Sequence, residues 1–502
     1  MIRVTLIGTF RTVDGTRTNT FKRGADSFPQ IDRVCHLIDG ANLQRFMGLL
    51  GAGLKDEEKL ILGTFVADRS ALAIASGDRL FQRHAVILGS TGSGKSYAAA
   101  LLLERAAKLN NPNIIVFDLH GEYGPLGDIA NGGYATRYKI AGPGDLEMPS
   151  DNVVFLPFWV LNRDELLSML LDRSDQNAPN QASRFGFHVR GLKEATANAA
   201  RAAAAKTFTV DSPIPFVLRD LLNRLRDDDT RKATGANGRD VKGEWEGKLT
   251  RFISRLEAKI GDRRYGFRFS PPELTQSYDC LHKFAVRFFS GAHGNGVKIV
   301  DFSEVPSDVL PVVTGVFARL LYDIQFWMQP ISRRPVSIFC DEAHLYLPRR
   351  DDADAVERQA LWNFERIAKE GRKYGFGLVV ISQRPSDVSR TILSQCNNFL
   401  ALRLTNEADQ AVVKRLVPDN LAQIIDALPL LDVGEALMLG DAMLLPTRVR
   451  LDVPKVRPSS ATRDFWQEWN TATPNENATI AAIESLRAQT RAAVERPDLF
   501  EV

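Results

Sequence analysis

The 502-residue chain has few cysteines and no long apolar run. Its four cysteines, Cys35, Cys280, Cys340 and Cys396, lie far apart and form no C-x-x-C pair. This scarcity argues against a disulfide framework or a structural zinc site and favours a reducing, cytoplasmic setting. No stretch approaches the roughly 18 apolar residues of a membrane span, and the first residues lack the pattern of a secretory signal. We therefore expect no membrane partner.

The chain as a whole also has no large excess of positive or negative charge. The 64 Lys and Arg residues nearly balance the 61 Asp and Glu residues, and 44% of the residues are hydrophobic, a composition that excludes disorder. One stretch departs from this balance, because residues 181–270 contain 19 Lys and Arg against 11 Asp and Glu. Such a stretch is either a basic surface for nucleic-acid phosphates or a solvated helical face.

The pattern along the chain indicates several units. Residues 1–80 alternate short apolar runs with turn signals, which predicts a small β-barrel or sandwich. In residues 81–160 and 296–453, apolar strands alternate with helix-length segments, as in an α/β fold with a parallel sheet. Residues 161–295 between these parts have a mostly helical pattern and predict a helical insertion. Residues 454–502 form a charged tail with helical character.

A phosphate-binding loop is the strongest motif. Residues 89–96, G-S-T-G-S-G-K-S, match G-x-x-x-x-G-K-[ST] between an apolar strand and a helical segment. Its glycines allow backbone N–H groups to surround phosphates, while Lys95 reaches the β and γ oxygens and Ser96 ligates Mg²⁺. We expect ATP and Mg²⁺ as cofactors. The predicted nucleotide-binding residues are Gly89, Thr91, Gly92, Ser93, Gly94, Lys95, Ser96 and Tyr97.

Acidic residues follow two other apolar strands. Asp341 and Glu342 end the run SIFCDEAH, where Asp341 would hold Mg²⁺ and Glu342 would polarise the attacking water. The run FDLHGEY offers Asp118 and Glu122. If that strand lies beside the phosphate-loop strand, Glu122 approaches the γ-phosphate as an auxiliary acid or switch. Otherwise these residues only cap a turn at Gly121.

A polar amide and a basic residue complete the candidate set. Gln383 ends the apolar run VVISQ next to the acidic strand, which suits a sensor of the γ-phosphate. Arg372 follows a helical segment, where a basic residue is common because of the helix dipole. Phosphoryl transfer also needs a positive group on the γ-phosphate, often an arginine finger from another subunit. Arg372 is our candidate for that finger, which would make the protein an oligomer.

The ordered motifs HAVILGSTGSGKS, FDLHGEYGPL, VKIVDFSEVP, IFCDEAHLYLP and IAKEGRKYGFGLVVISQRPSDV, with the terminal GEALMLGDAMLLPTRVRLDVP, resemble the HerA branch of the HerA/FtsK ATPases. The resemblance implies a RecA-like core in a homo-hexamer that hydrolyses ATP at subunit interfaces and moves duplex DNA through a pore. It also implies a partner, either a nuclease or an NAD-hydrolysing effector of anti-phage defence, docked on the N-terminal barrel. The roles given above to Lys95, Ser96, Asp341, Glu342, Arg372 and Gln383 agree with the positions of the family's motifs.

Three other functions compete with a DNA motor. One is a ring scaffold that uses ATP to assemble and activate a defence effector without long-range DNA transport. A coupling ATPase of a secretion system shares the core but usually carries or contacts membrane segments. A helicase of the DEAH type is suggested by residues 341–344 alone, without the further motifs of that class.

Overall fold

A computed structural model describes residues 8–12, 19–23, 28, 30, 32–34, 36, 38, 40–51, 54–146, 150–234, 237–262, 265–269, 272–289, 296–417, 419–460, 465–471 and 476–488. The strands are β1 (Gly8–Thr12), β2 (Asn19–Arg23), β3 (Lys59–Phe65), β4 (Leu72–Ser76), β5 (Ala85–Leu88), β6 (Ile114–Asp118), β7 (Ala135–Ile140), β8 (Val153–Val154), β9 (Ala233–Thr234), β10 (Asp240–Val241), β11 (Val297–Asp301), β12 (Val336–Cys340), β13 (Phe376–Ser382), β14 (Asn398–Ala401), β15 (Glu435–Gly440) and β16 (Thr447–Leu451).

The helices are α1 (Gly40–Gly51), α2 (Gly77–Gln82), α3 (Lys95–Ala107), α4 (Arg163–Leu170), α5 (Ala178–Ala199), α6 (Leu218–Thr230), α7 (Thr250–Gly261), α8 (Gly266–Phe269), α9 (Cys280–Phe289), α10 (Leu310–Trp327), α11 (Ala355–Glu370), α12 (Arg390–Gln395), α13 (Glu407–Leu416), α14 (Phe465–Thr471) and α15 (Glu476–Ala488). None of the helices in the described residues is long and apolar enough to cross a membrane.

Twelve of the described strands form one sheet, in the order β4-β3-β16-β15-β14-β5-β13-β12-β6-β11-β7-β8. From β14 to β8 every neighbouring pair is parallel, whereas the pairs from β4 to β14 are antiparallel. The central parallel strands are buried along their whole length because helices cover both faces. This sheet confirms the predicted α/β, RecA-like fold class.

Two apolar clusters lie on opposite faces of this sheet. One cluster combines residues of α3 with inward-facing residues of β5, β6 and β13, including Val116 and Ile381. The other combines α10, α11 and helices of the insertion with the opposite face, including Phe117 and Val380. Because side chains alternate along a strand, neighbours such as Val116 and Phe117 serve different clusters. The two layers fix the strand ends that carry the functional residues.

The N-terminal part differs from the predicted barrel. Strands β1 and β2 form a separate two-stranded sheet, but β3 and β4 join the edge of the central sheet, where β3 pairs with β16. A closed barrel over residues 1–80 is not confirmed, and much of that range lies outside the described residues. The pairing of β3 with β16 brings residues far apart in the sequence together, so local patterns do not reveal it.

The segment between β8 and β11 contains helices α4 to α9 and one small hairpin, β9–β10, in the polar stretch near residue 235. A buried ion pair joins this segment to the core. Arg319 of α10 donates to both oxygens of Glu165 in α4, at 2.7 and 2.9 Å, and to the Val160 carbonyl. Asn363 of α11 also donates to Glu165, at 3.0 Å. These bonds fix the insertion against α10 and α11, the helices that precede β12 and β13.

Candidate functional site

The candidate residues meet at the carboxyl-terminal edge of the parallel strands. In the ladder, Leu88 of β5 pairs with Ser382 of β13, and Cys340 of β12 pairs with Val380 of β13 and Phe117 of β6. The loops after these four strands therefore leave the sheet side by side. Ligands of open α/β sheets bind at this edge.

The phosphate loop connects β5 to α3. Gly92 and Gly94 have φ angles of 74° and 103°, a left-handed conformation that favours glycine. A Cβ atom at Gly89 would lie 2.3 Å from Ser93 Oγ, so the loop also requires a glycine there. The Ser93 N–H donates to the Ser90 carbonyl at 3.1 Å, while the buried Ser93 Oγ has no hydrogen-bond partner among the described residues. This is the cradle that the motif predicts.

Lys95, the first residue of α3, is buried, and its Nζ lies 3.4 Å from the Ser90 carbonyl. Burial lowers the pKa of Lys95, while the negative charges of Glu342, Asp341 and Glu122 oppose that shift. The ammonium group is therefore held inside a cluster of carboxylates. Such a cluster can accept a phosphate chain only because the lysine and a metal ion offset its charge.

Asp341 and Glu342 follow β12 directly. Asp341 is 3% exposed, and burial, followed by the charges of Glu342, Glu122 and Asp118, raises its pKa well above the usual value. Glu342 has a φ of 43°, a strained conformation for a residue with a side chain, of the kind that often occurs at functional sites. Its buried Oε2 lies 3.2 Å from His344 Nδ1 without the geometry of a hydrogen bond. The carboxylate is thus held at the strand end with acceptor capacity to spare.

Glu122 reaches the phosphate loop by a route that the sequence did not suggest. Strand β6 does not lie beside β5, because β13 and β12 separate them, so the neighbouring-strand arrangement considered above is wrong. Nevertheless, Ser96 Oγ donates to Glu122 Oε2 at 2.8 Å. The Asp118 carboxylate accepts the N–H groups of Glu122 and Tyr123, each at 3.0 Å, and so fixes the loop. Burial raises the pKa of Asp118 to about 6.

Gln383 and Arg372 lie at opposite ends of strand β13. At the carboxyl end of β13, Gln383 Oε1 accepts a hydrogen bond of 2.7 Å from Thr91 Oγ1 of the phosphate loop. Arg372 is exposed in the turn Gly371–Tyr374, before β13 begins. A seven-residue strand separates the two positions by roughly 20 Å, at about 3.3 Å per residue. Arg372 therefore does not join the site of its own chain.

Sequence reasoning missed two backbone contacts of this site. The Ser459 N–H donates to the Glu122 carbonyl at 2.7 Å, and the Gly434 N–H lies 3.4 Å from the Ser93 carbonyl. Both come from segments that follow the core strands, so the end of the chain supports the loops around the nucleotide site. Ser459 lies outside the quoted motifs, and Gly434 begins the terminal motif GEALMLG, which gives no sign of a contact with the phosphate loop.

The residues also suit Mg²⁺. Ser96 and Asp341 supply hydroxyl and carboxylate oxygens, which Mg²⁺ prefers. The Ser96 hydroxyl uses its proton in the bond to Glu122, so its oxygen lone pairs are available to a metal ion. Ser93 Oγ and Glu342 Oε2 form no hydrogen bond with the residues that the structure describes, as in a site completed by ligands.

A glycine-rich loop at the start of a helix, a buried lysine and an acidic strand end on one parallel sheet define a phosphate-loop nucleoside triphosphatase. The model of the protein family described as "Helicase HerA, central domain" matches residues 60–321, a little more than half of the chain. The chain therefore belongs to this family. The predictions of a HerA-type protein and of an ATPase are thereby confirmed.

The chain is also similar to individual relatives and solved structures. The DNA double-strand break repair helicase HerA of Sulfolobus acidocaldarius is 25% identical over 402 residues, covering 78% of this chain and 70% of the relative. A probable helicase of Methanocaldococcus jannaschii is 35% identical over 391 residues, which cover 74% of this chain and 66% of the relative. Among solved structures, VirB4 of Thermoanaerobacter pseudethanolicus is 18% identical with a TM-score of 0.49, covering 82% of this chain and 99% of that one.

Proposed function

We propose that this protein is a hexameric motor that hydrolyses ATP to translocate or unwind double-stranded DNA. The observation that carries the proposal is the meeting of Lys95, Ser96, Asp341, Glu342 and Gln383 at one sheet edge, in a chain of the HerA helicase family. Several relatives are described as DNA double-strand break repair helicases, which supports DNA as the substrate.

In this proposal Glu342 is the residue that activates water. Its carboxylate is held at the end of β12, close enough to Lys95 to affect the pKa of the lysine. A carboxylate at a strand end beside the nucleotide can orient a water molecule and take its proton. Mg²⁺, held by Ser96 and Asp341, would supply positive charge to the phosphate oxygens. Thr91 and Gln383 link the phosphate loop to β13, so loss of the γ-phosphate would alter that link.

Arg372 acts on the nucleotide of a neighbouring subunit in this proposal. Arg372 is exposed before the start of β13, far from the nucleotide site of its own chain. This position suits an arginine finger that contacts the nucleotide bound to a neighbouring subunit. The same end of the sheet exposes Trp327 and Ile331, with 80% and 96% of their surface accessible. Exposed apolar side chains at this end of the sheet suit a surface that a neighbouring subunit covers. A ring of identical subunits covers them and completes each ATP site.

DNA contact is assigned to basic residues that remain exposed. Helices α5 and α6 expose Arg190, Arg219 and Arg224, and the loop after β12 exposes Arg350, which lies 3.7 Å from Glu365. Such residues bind phosphates without sequence preference, so affinity falls steeply as salt rises. A nuclease or an NAD-hydrolysing effector, docked on the N-terminal region, is the proposed protein partner.

One observation favours a second candidate function, the ATP-controlled ring scaffold that activates a defence effector. Several basic residues of the insertion are neutralised in ion pairs, namely Arg184 with Asp228, Arg226 with Glu257, and Arg255 with Asp172. The basic stretch therefore offers less free charge to DNA than its composition suggests. In a scaffold, ATP hydrolysis would not respond to DNA.

ATP hydrolysis by the purified chain, with and without linear duplex DNA over a salt series, separates the two functions. A motor predicts stimulation by DNA that fades as salt rises. The Glu342→Gln variant is the blank, because it should bind ATP without turnover. Hydrolysis that is indifferent to DNA at every salt concentration would refute the motor and support the scaffold.

A further inference from the structure

The chain returns to the phosphate-loop helix after the last strand of the sheet. Residues 452–459, which follow β16, form a strap beside α3. Near the end of α3, Arg105 Nη2 donates a hydrogen bond of 2.6 Å to Asp452 Oδ2. The Lys455 N–H donates to Glu104 Oε2, also at 2.6 Å, and Glu104 is buried. The strap is therefore anchored on α3 before it reaches the nucleotide site.

The strap ends at the loop after β6, which carries Glu122. The Ser459 N–H donates to the Glu122 carbonyl at 2.7 Å. From the other side, Asp118 Oδ1 accepts the Glu122 N–H at 3.0 Å. Both peptide groups that flank the Glu122 Cα atom are thus held, one by the end of β6 and the other by the strap. Together the two hydrogen bonds fix the point from which the Glu122 side chain extends.

The Glu122 side chain in turn orients a proposed ligand of Mg²⁺. Its Oε2 accepts the proton of Ser96 Oγ at 2.8 Å, so the oxygen lone pairs of Ser96 stay available to the metal ion. A group that hydrogen-bonds to a metal ligand orients that ligand, and its loss typically lowers metal affinity by about 10- to 100-fold. Ser459 acts one step further out, because it contacts Glu122 and not Ser96. A single residue, Glu122, therefore connects the strap to the metal ligand.

We infer that Ser459 is a positioning residue for Mg²⁺, whose backbone N–H holds Glu122 against Ser96. The inference rests on the proposed nucleotide-binding function. Energetic coupling between two equilibria is reciprocal. Bound Mg²⁺ therefore stabilises the Ser459 hydrogen bond by the same factor by which that bond raises the affinity for Mg²⁺. The metal site and the C-terminal part of the chain are coupled in this way, and occupation of the site tightens the strap.

The test is the Ser459→Pro variant of the full chain, with Ser459→Ala as the matched control. Proline removes the N–H donor, whereas alanine keeps the N–H and removes only the hydroxyl. Binding of a fluorescent, non-hydrolysable ATP analogue is measured while Mg²⁺ is titrated. The net strength of one backbone hydrogen bond limits the effect to roughly tenfold. We expect Ser459→Pro to need about three- to tenfold more Mg²⁺, whereas its affinity for the analogue in EDTA and both properties of Ser459→Ala stay at the wild-type values.

Hydrogen exchange of the wild-type chain supplies a second measurement, which needs no proline. Exchange of the Ser459 amide is followed by mass spectrometry with the ATP analogue present, once with Mg²⁺ and once with EDTA. Reciprocal coupling predicts that Mg²⁺ slows this exchange by the same factor of about three to ten. The Gly247 amide, which donates to the Asp229 carbonyl in the insertion at 3.1 Å, is the control and should keep its rate.

The outcomes separate this inference from the proposed function. An unshifted Mg²⁺ titration of Ser459→Pro, or an exchange rate of Ser459 that ignores Mg²⁺, would overturn the inference and leave nucleotide binding intact. An equal loss of affinity with Mg²⁺ and in EDTA would also overturn it, because the strap would then support the whole nucleotide site and not the metal ligand. If Ser459→Pro does not fold, the exchange measurement decides alone. If the wild-type chain bound no nucleotide at all, the proposed function would fail and the inference with it.

Discussion

Replacing Glu342 by glutamine should abolish ATP turnover and preserve ATP binding. The change keeps the size of the side chain but removes the negative charge that would take a proton from water. A positioned general base contributes about 10²- to 10⁴-fold to a rate, or ~3–5 kcal/mol of barrier. ATP binding should survive because Asp341 and Glu122 remain in place, and their charges oppose the lowering of the Lys95 pKa by burial. With one negative charge fewer beside the phosphates, affinity should equal or exceed that of the wild type.

The assay pairs single-turnover hydrolysis of labelled ATP with equilibrium binding of a fluorescent analogue. Glu194→Gln, an equivalent change at an exposed position of α5, is the control for the lost charge. Turnover by Glu342→Gln within tenfold of the wild type would refute the assignment and move the catalytic role to Glu122. A loss of binding that matches the loss of turnover would mean that Glu342 holds the nucleotide instead of activating water.

Three further changes test the site and its support. Lys95→Ala should weaken ATP binding about 10- to 100-fold in a fluorescence titration, because a charged hydrogen bond to phosphate is lost; an unchanged dissociation constant would contradict the phosphate-loop assignment. Because the pKa of Asp118 is raised to about 6, the folded state holds its proton more tightly than the unfolded state, and this stabilisation is lost as the pH rises from about 4 to 6. The unfolding free energy of Asp118→Asn relative to wild type should therefore improve by ~3 kcal/mol between pH 4 and 7 in urea titrations, whereas parallel curves would argue against a buried charge. Glu165→Ala should cost about 3–5 kcal/mol in the same assay because it leaves the buried Arg319 unpaired, and a loss below about 1 kcal/mol would contradict this.

The sequence predicted the parallel core because its strands are apolar on both faces. Runs such as VKIVD and VSIFC are typical of buried parallel strands, and turn residues mark their ends. Strand β7 escaped notice, because ATRYKI carries charged side chains on positions that remain accessible at the side of the sheet. Strand β8 in the same part of the sheet is only two residues long.

The chemistry of the site was predictable where it depends on a local pattern. The phosphate loop and the acidic pair each occupy one strand end, and strand ends can be read from the sequence. The hydrogen bond from Ser96 to Glu122 could not be predicted, because it depends on the order of strands in the sheet and on the path of the loop after β6. The supporting contact of Ser459 likewise depends on where the chain returns after the core.

The most direct test of a shared ATP site is complementation between two inactive variants. Arg372→Ala keeps Glu342 but lacks the finger, whereas Glu342→Gln keeps the finger but lacks the base. Mixed rings contain interfaces at which an Arg372→Ala subunit supplies Glu342 and a Glu342→Gln neighbour supplies Arg372. We predict that mixing the variants after dissociation and reassembly restores ATP hydrolysis to a substantial fraction of the wild-type rate. Mixtures no more active than either variant alone would contradict an active site built from two subunits.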